Sequence, residues 1–258
     1  MTWIQAIILG IVEGATEYLP ISSTFHLIWA ARILGIEQSQ FQKAFEVIIQ
    51  AGSILAVVFL YFSQWRSKIS LFPKILSSFI PTGIAGLLLY KVIKGTFFEN
   101  YVLQLGVFAL VGLVFIFFEK FYRPKVNRRS KELTYKESIV IGLIQALAII
   151  PGVSRAGAVI LGMMFLKVRR DEAAEYSFLL AVPTLLAASS LDLVKTVPYL
   201  LDNTSDIGVL LVGFIAAFIS ALFAIKWFIT FLQKHSLTSF GIYRLALAVL
   251  LIALFFPK

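Results

Sequence analysis

The chain has 258 residues, of which 59% are hydrophobic and only 14% are charged, with a mean hydropathy of +0.90. Soluble domains carry about 25% charged residues, so the composition excludes a soluble fold and indicates a membrane protein. A membrane helix needs about 20 apolar residues, which allows about six or seven spans in one compact domain. The absence of cysteine excludes disulfides, thiolate metal sites and cysteine nucleophiles. The net charge of +9 does not indicate nucleic-acid binding, because basic residues in membrane proteins more often mark cytoplasmic loops.

The basic residues fall mainly into four clusters, which the positive-inside rule assigns to the cytoplasmic face. The clusters are Arg66, Lys68 and Lys74; Lys120, Arg123, Lys125, Arg128, Arg129, Lys131 and Lys136; Lys167, Arg169 and Arg170; and Lys226 with Lys234. The polar segments between them contrast with these clusters. Segment 95–100 has only Glu99 as a charge, and segment 192–206 has three aspartates against Lys195. Both segments are predicted to be loops on the outer face.

Six apolar runs can be threaded between these faces as full spans. In chain order they are predicted at about 45–62, 75–93, 102–118, 172–191, 207–230 and 240–257. Two segments remain, 3–34 and 138–166, and each must begin and end on one face. About 30 helical residues, at about 1.5 Å each, cross the core only about once and a half. These two segments are therefore predicted to be re-entrant hairpins, which gives four half-helices in an all-α membrane protein.

The two hairpins resemble each other, which indicates an internal duplication. The sequence of residues 9–15 resembles that of 141–147, and the sequence of 20–24 resembles that of 151–155, with a spacing between the two blocks that differs by one residue. A weaker similarity matches Glu46 with Glu175. Each half is then one hairpin plus three spans, and because three is odd the second copy is inverted. The predicted parts are a first repeat at 1–118, a basic cytoplasmic linker at 119–136 and an inverted second repeat at 137–258. Inverted repeats with broken helices place their site near the midplane of the bilayer.

The first hairpin carries two glutamates and a run of hydroxyl side chains. Glu13 and Glu17 are four residues apart and share a helical face, and ionisable residues inside a membrane mark functional sites by default. The alternatives are that both lie in interfacial water or serve structural hydrogen bonds. Pro20 ends the helix, and the run that follows can cap the returning half-helix and leave an anion site at its positive end. That run is Ser22, Ser23 and Thr24.

The second hairpin is broken in the same way at Pro151, and Ser154 with Arg155 follows. Arg155 is a basic residue inside an apolar segment, and its planar fork suits phosphate oxygens. A salt bridge from Arg155 to Glu13 or Glu17 is the alternative, and the two roles are compatible. For the serines, helix capping alone is an equally good interpretation.

Four other residues belong to the candidate set. His26 lies three residues after Ser23, so both can share a face, and a catalytic role is favoured over a structural one. Gln145 occupies the position that matches Glu13 in the duplication. Glu46 and Glu175, near the starts of equivalent spans, are either interfacial or in the cavity.

With these residues identified, the sequence resembles the bacterial undecaprenyl pyrophosphate phosphatase family, also called the bacitracin-resistance family. The motifs that carry the resemblance are EGATEYLPISSTFH at 13–26 and PGVSRAGA at 151–158. Supporting similarity runs through 45–52, 170–180 and Tyr243-Arg244, so it covers essentially the whole chain.

The resemblance implies a multi-pass enzyme of the bacterial cytoplasmic (inner) membrane that converts undecaprenyl diphosphate to the monophosphate carrier lipid of cell-wall synthesis and confers bacitracin resistance. It also implies an inverted-repeat fold with an active site open to the outer, periplasmic face. Among the site residues, it implies that Glu13 and Glu17 are the motif glutamates, Ser23 the active-site serine, His26 the motif histidine and Arg155 the phosphate-binding arginine.

The expected chemistry is phosphoryl transfer. Ser23 attacks the terminal phosphorus and His26 or Glu17 takes its proton, although His26 as the nucleophile stays open. Arg155 and the half-helix amides stabilise the charge that develops, with Ser22, Thr24 and Ser154 as further phosphate-binding residues. Glu13 and Glu17 are also candidate ligands for a divalent cation such as Mg²⁺ or Ca²⁺. No organic cofactor is expected.

The expected partners are a polyprenyl diphosphate lipid and the bilayer, and a homodimer is left open. Transport of a polyprenyl phosphate lipid is the rival function, because transporters also use inverted repeats and broken helices. A third interpretation is an inactive homologue, because the sequence departs from the family at three positions. Phe25 replaces the usual glycine, Ala156 a serine and Val159 a threonine.

Overall fold

The structure, a computed structural model, describes residues 1–37, 39–64, 68–96, 100–122 and 128–256, and this part of the chain is all-helical. Four residues of the charge pattern, Arg66, Glu99, Arg123 and Lys125, lie outside it. The α-helices are α1 (Trp3–Thr16), α2 (Ser23–Ile33), α3 (Gln40–Ile48), α4 (Gln50–Tyr61), α5 (Phe72–Thr96), α6 (Tyr101–Phe121), α7 (Tyr135–Ala146), α8 (Arg155–Phe165), α9 (Arg170–Asp202), α10 (Ser205–Lys234) and α11 (Thr238–Phe255).

Within the described residues, six segments are long and apolar enough to cross a membrane, as the sequence predicts. They are Gln40–Tyr61, Ile69–Leu89, Tyr101–Phe121, Arg170–Asp202, Ser205–Lys234 and Thr238–Phe255. The chain is therefore a multi-pass membrane protein. The segments predicted as hairpins contain only short helices, α1 with α2 and α7 with α8.

The predicted outer loop at 192–206 is wrong. Helix α9 continues to Asp202 and α10 begins at Ser205, so only two residues separate them. A helix of 33 residues, at about 1.5 Å per residue, is longer than the hydrocarbon core of about 30 Å. Asp192 lies within α9 and is only 3% exposed, because it faces the helix bundle. The first predicted span also begins earlier, at Gln40, and is interrupted at Ile49.

The two short-helix pairs begin with the same local structure. Thr2 and Thr134 each form a capping box, in which the threonine hydroxyl accepts from the backbone amide three residues later and that residue's side chain accepts from the threonine amide. Each pair then breaks at a serine with a positive φ, 68° at Ser22 and 76° at Ser154. Positive φ is costly for a residue with a side chain, so both serines hold a strained turn. When the sequences are aligned on Pro20 and Pro151, Ser23 matches Ser154. In backbone conformation, however, Ser22 is the residue that matches Ser154.

The two pairs also pack in the same way against the long helices. Helix α1 packs on α10, and α7 packs on α5. Both contacts depend on a glycine: a Cβ atom on Gly10 would lie 2.4 Å from the carbonyl oxygen of Gly213, and one on Gly142 would lie 2.1 Å from that of Ser78. A third close contact joins α6 to α11, where a Cβ atom on Gly112 would lie 3.0 Å from the carbonyl oxygen of Gly241. These contacts bring the two breaks together inside the bundle.

Candidate active site

The first break places Ser23 against Glu17. Helix α1 ends at Thr16, the chain turns through the next six residues, and α2 begins at Ser23. The Ser23 hydroxyl donates a hydrogen bond to Oε2 of Glu17. Both residues are 6% exposed, so a carboxylate is held against a hydroxyl in a site largely closed to water. This is the arrangement of a nucleophile beside a base.

The second break carries Arg155 to the same carboxylate. Nη2 of Arg155 lies 3.1 Å and Nε 3.4 Å from Oε1 of Glu17, while Nη1 donates to the backbone oxygen of Ser177 at 2.7 Å and to its hydroxyl at 3.3 Å. The salt bridge that sequence reasoning left open is thus present. A guanidinium has five N–H donors, so within the described part of the chain one donor on Nη2 is left for a ligand.

The two breaks are joined directly. The Gly152 amide donates to the Ser22 hydroxyl at 3.2 Å, and the Ser154 hydroxyl donates to the carbonyl oxygen of Leu19 at 3.4 Å. Ser154 also caps α8 by accepting from the Gly157 amide at 3.2 Å, whereas Ser22 makes no side-chain cap on α2. Capping therefore explains Ser154 but not Ser22.

A cavity of about 290 Å³ opens beside these residues. Its polar lining includes Glu17, Ser22, Ser23, Thr24, Ser154, Arg155 and Gln145. From there it continues between α5 and α9 along apolar residues, namely Phe79, Gly83, Gly86, Leu87, Leu185, Ala188 and Leu191. The end at the breaks suits an anion. The apolar stretch suits a hydrocarbon chain, although Thr82, Thr184 and Asp192 also line the cavity.

Glu13 lies behind this site. It is fully buried, does not line the cavity and accepts a hydrogen bond from the Ser53 hydroxyl at 3.4 Å through Oε1. Its other oxygen, Oε2, accepts no hydrogen bond from any residue that the structure describes. In the same residues, no group of three or more Asp, Glu, His or Cys side chains could hold a metal. A cation site at Glu13 and Glu17 stays a prediction.

His26 faces away from Ser23. Its Nδ1 lies 2.8 Å from the carbonyl oxygen of Ser22, and its Nε2 lies 2.8 Å from the hydroxyl of Tyr243, whose ring stacks on the imidazole. A carbonyl oxygen only accepts, so Nδ1 carries a proton and donates a hydrogen bond to Ser22. The imidazole therefore orders the turn at Ser22 and makes no hydrogen bond to Ser23.

The remaining predicted residues are divided between the cavity and its surroundings. Gln145 lines the cavity and donates to the hydroxyls of Thr82 and Thr184 at 2.8 and 3.3 Å. Glu46 is buried outside the cavity and accepts from Gln42 at 2.9 Å, while Glu175 pairs with Lys68. The structure thus brings Gln145, but neither glutamate, to the candidate site.

Phe25 is also directed away from the cavity. Its ring stacks on Phe108 of α6 with centroids 3.8 Å apart and contacts Trp29. Ala156 and Val159 are fully buried in the helix packing. None of the three residues that depart from the family pattern lines the cavity.

Sequence reasoning missed two residues near the site. Asp192 lines the cavity, although its sequence neighbourhood has the composition of a loop. Arg244 is fully buried, whereas the sequence motifs include it only in the segment Tyr243-Arg244. Its position inside the apolar run of α11 was the signal that could have identified it.

Comparison with known proteins supports one family. The family model described as "Bacitracin resistance protein BacA" matches residues 6–250. The chain belongs to this family. Among relatives of this BacA-family chain, a protein of Sulfurihydrogenibium sp. (strain YO3AOP1) is 50% identical over 97% of the chain and 98% of its own length. A protein of Aquifex aeolicus (strain VF5) is 46% identical over 99% of both, and both relatives are named undecaprenyl-diphosphatase.

Proposed function

We propose that this BacA-family protein hydrolyses undecaprenyl diphosphate to the monophosphate and inorganic phosphate, which recycles the carrier lipid for cell-wall synthesis and confers bacitracin resistance. The observation that carries the proposal is the chain of contacts from Ser23 to Glu17 to Arg155 at the polar end of a largely apolar cavity. This arrangement offers a nucleophile, a base and a cation to a diphosphate whose lipid tail lies in the apolar part. The names of the relatives specify the same substrate.

In the proposed reaction, the Ser23 oxygen attacks the terminal phosphorus as its proton passes to Oε2 of Glu17. The bond between the terminal phosphorus and the bridging oxygen breaks, and undecaprenyl monophosphate leaves. Arg155 stabilises the charge on the phosphoryl oxygens, since positioning and charge stabilisation are what phosphoryl transfer requires. Glu17 gives the proton taken from Ser23 to the departing monophosphate and becomes a carboxylate again. It then takes a proton from the water that attacks the phosphoserine and returns this proton to the Ser23 oxygen as phosphate is released. The hydrogen bond from Ser23 favours Glu17 over His26 as the base.

A divalent cation, Mg²⁺ or Ca²⁺, is a further part of this proposal. Oε2 of Glu13 supports it, because a buried carboxylate oxygen without a described hydrogen-bond donor suits a hard cation. Glu17 is the second proposed ligand. When bound, the ion would neutralise charge on the diphosphate.

The proposed architecture is an inverted repeat, with a first copy at 1–118, a basic linker at 119–136 and a second copy at 137–258. It is supported by the matching capping boxes, the positive φ angles of Ser22 and Ser154, and the reciprocal packing of α1 on α10 and α7 on α5. Helices α1 with α2 and α7 with α8 are then the re-entrant hairpins. In the threading derived from charge, Leu87 and Asp192 lie toward the outer ends of their helices. The cavity is therefore proposed to open to the periplasmic face of the inner membrane.

Phosphate release from undecaprenyl diphosphate tests the proposal. We expect release by the purified wild-type protein, and loss of release in Ser23→Ala and Arg155→Ala. Lipid movement across proteoliposomes is measured in parallel. Movement of lipid without phosphate release by the wild type would instead support transport, which the contact between Ser23 and Glu17 does not favour.

A further inference from the structure

Arg244 has no role in the proposed reaction, yet its side chain is fully buried among membrane helices. It lies on α11, and its guanidinium reaches three backbone carbonyl oxygens. Nε donates to Phe108 at 2.9 Å, Nη1 donates to Pro20 at 3.0 Å, and Nη2 donates to Gly152. Among the described residues, Arg244 donates only to carbonyl oxygens, so it acts through the backbone rather than through a charge partner.

The three oxygens belong to the elements that form the site. Pro20 lies in the first break, between Glu17 and Ser23. Gly152 lies in the second break, three residues before Arg155, and its φ of 101° is one that a glycine adopts readily. The planar guanidinium thus spans the two breaks and fixes them to α6 at the same time.

The surroundings hold this guanidinium in one orientation. Its central carbon lies 4.4 Å from the ring centroid of Phe108 and 5.5 Å from that of Phe115. At Gly112, a Cβ atom would lie only 3.0 Å from Cβ of Arg244, so this glycine lets α11 approach α6 closely enough. No carboxylate of the described residues pairs with Arg244. Its fork is therefore available to the carbonyl oxygens.

We propose that Arg244 is a positioning residue that sets the separation of the two breaks, and so places Arg155 against Glu17 and Ser23. The inference rests on the proposed function, since that trio is the proposed catalytic set. Arg244 does not line the cavity, so it contacts no substrate. A displacement of about 1 Å in a catalytic constellation can reduce a rate by about 10²-fold. Loss of the fork is thus expected to lower kcat and to leave KM largely unchanged.

The first test is a double-mutant cycle. Arg244→Lys keeps the charge but cannot bond three divergent carbonyl oxygens at once, and Arg244→Gln is the neutral second variant. We expect Arg244→Lys to lower kcat for phosphate release by at least about tenfold, with KM within about twofold. In an Arg155→Lys background, Arg244→Lys is expected to lower kcat by less than about threefold, because the effects of coupled residues are not additive. Leu251→Ala, a buried substitution on the same helix, is the control and should leave kcat of the folded protein unchanged.

The second test does not depend on activity. The chain lacks cysteine, so spin labels can be attached to Ile33→Cys and Phe165→Cys, exposed positions at the ends of α2 and α8. We expect a narrow distance distribution in the parent and in Leu251→Ala, and a shifted or broadened one in Arg244→Lys. An unchanged distribution, or equal fractional losses of kcat in both backgrounds, would overturn the inference and leave the proposed function intact. Failure of the wild type to release phosphate would overturn the proposed function, and the positioning role with it.

Discussion

Glu17→Gln tests the base directly, because the substitution preserves size and removes the charge. In the structure, one carboxylate oxygen of Glu17 accepts a hydrogen bond from the Ser23 hydroxyl, and the other accepts a hydrogen bond from Arg155. An amide has one acceptor oxygen, so it can retain only one of these partners. Loss of a positioned base reduces rates by about 10² to 10⁴-fold. At about 1.4 kcal/mol per factor of ten, this corresponds to about 3 to 5 kcal/mol in the barrier.

The assay is steady-state phosphate release from undecaprenyl diphosphate, normalised to folded protein. Normalisation is needed because removal of one partner of a buried ion pair destabilises by about 3–5 kcal/mol. Glu119→Gln is the matched control. The side chain of Glu119 is 8% exposed and pairs with Arg170 at 2.5 Å, away from the cavity, so the substitution should leave kcat within about twofold. The assignment of the base is refuted if Glu17→Gln keeps kcat within tenfold of wild type, or if His26→Gln loses as much as Glu17→Gln.

Three other substitutions test the cavity, the contact between the linker and α7, and the helix packing. Gly86 lines the cavity, and a Cβ atom there would have no neighbour within 4 Å. Gly86→Phe should therefore fold, obstruct the cavity and raise KM for undecaprenyl diphosphate by about tenfold. Gly106 is also in open space but does not line the cavity, so Gly106→Phe should leave KM unchanged. Hydrogen bonds from Arg128 lower the pKa of Glu137 from 4.5 to about 2. The ionised Glu137 therefore stabilises the folded protein fully above pH 4.5, its pKa in the unfolded chain, and this stabilisation is lost as the pH falls toward 2. Glu137→Gln should therefore lower Tm at pH 7, and the difference from wild type should shrink below pH 4.5. Gly142→Val should lower Tm or prevent folding, because its Cβ would lie 2.1 Å from a carbonyl oxygen of α5.

Much of the fold could be predicted because the bilayer imposes simple rules. Apolar run length and the positions of basic residues gave the six spans, since lipid excludes charge and fixes helix length. Pro20 and Pro151 gave the breaks, because proline ends a helix for local steric reasons. The continuation of α9 to Asp202 was not predictable in this way, since its last turns contain Lys195, Pro198 and Asp202 and so have the composition of a loop.

The residues of the site could be named from sequence, and a salt bridge from Arg155 to a motif glutamate was among the alternatives, but the other contacts could not be predicted. The motif spacing identified Ser23, Glu17 and Arg155 because they are rare polar groups in apolar segments. His26 forms a hydrogen bond with Tyr243 and not with Ser23, because α11 packs beside α2. The spacing of residues within one helix does not specify this packing. The roles of Arg244 also lie in contacts with residues far away along the chain.

The most direct test of the central claim is to trap the phosphorylated intermediate. The protein is mixed with undecaprenyl diphosphate radiolabelled on its terminal phosphate, quenched within the first turnover and digested, and the label is mapped. The proposed reaction predicts label on Ser23 and none in Ser23→Ala. Label on His26, or phosphate release without any labelled protein, would contradict it.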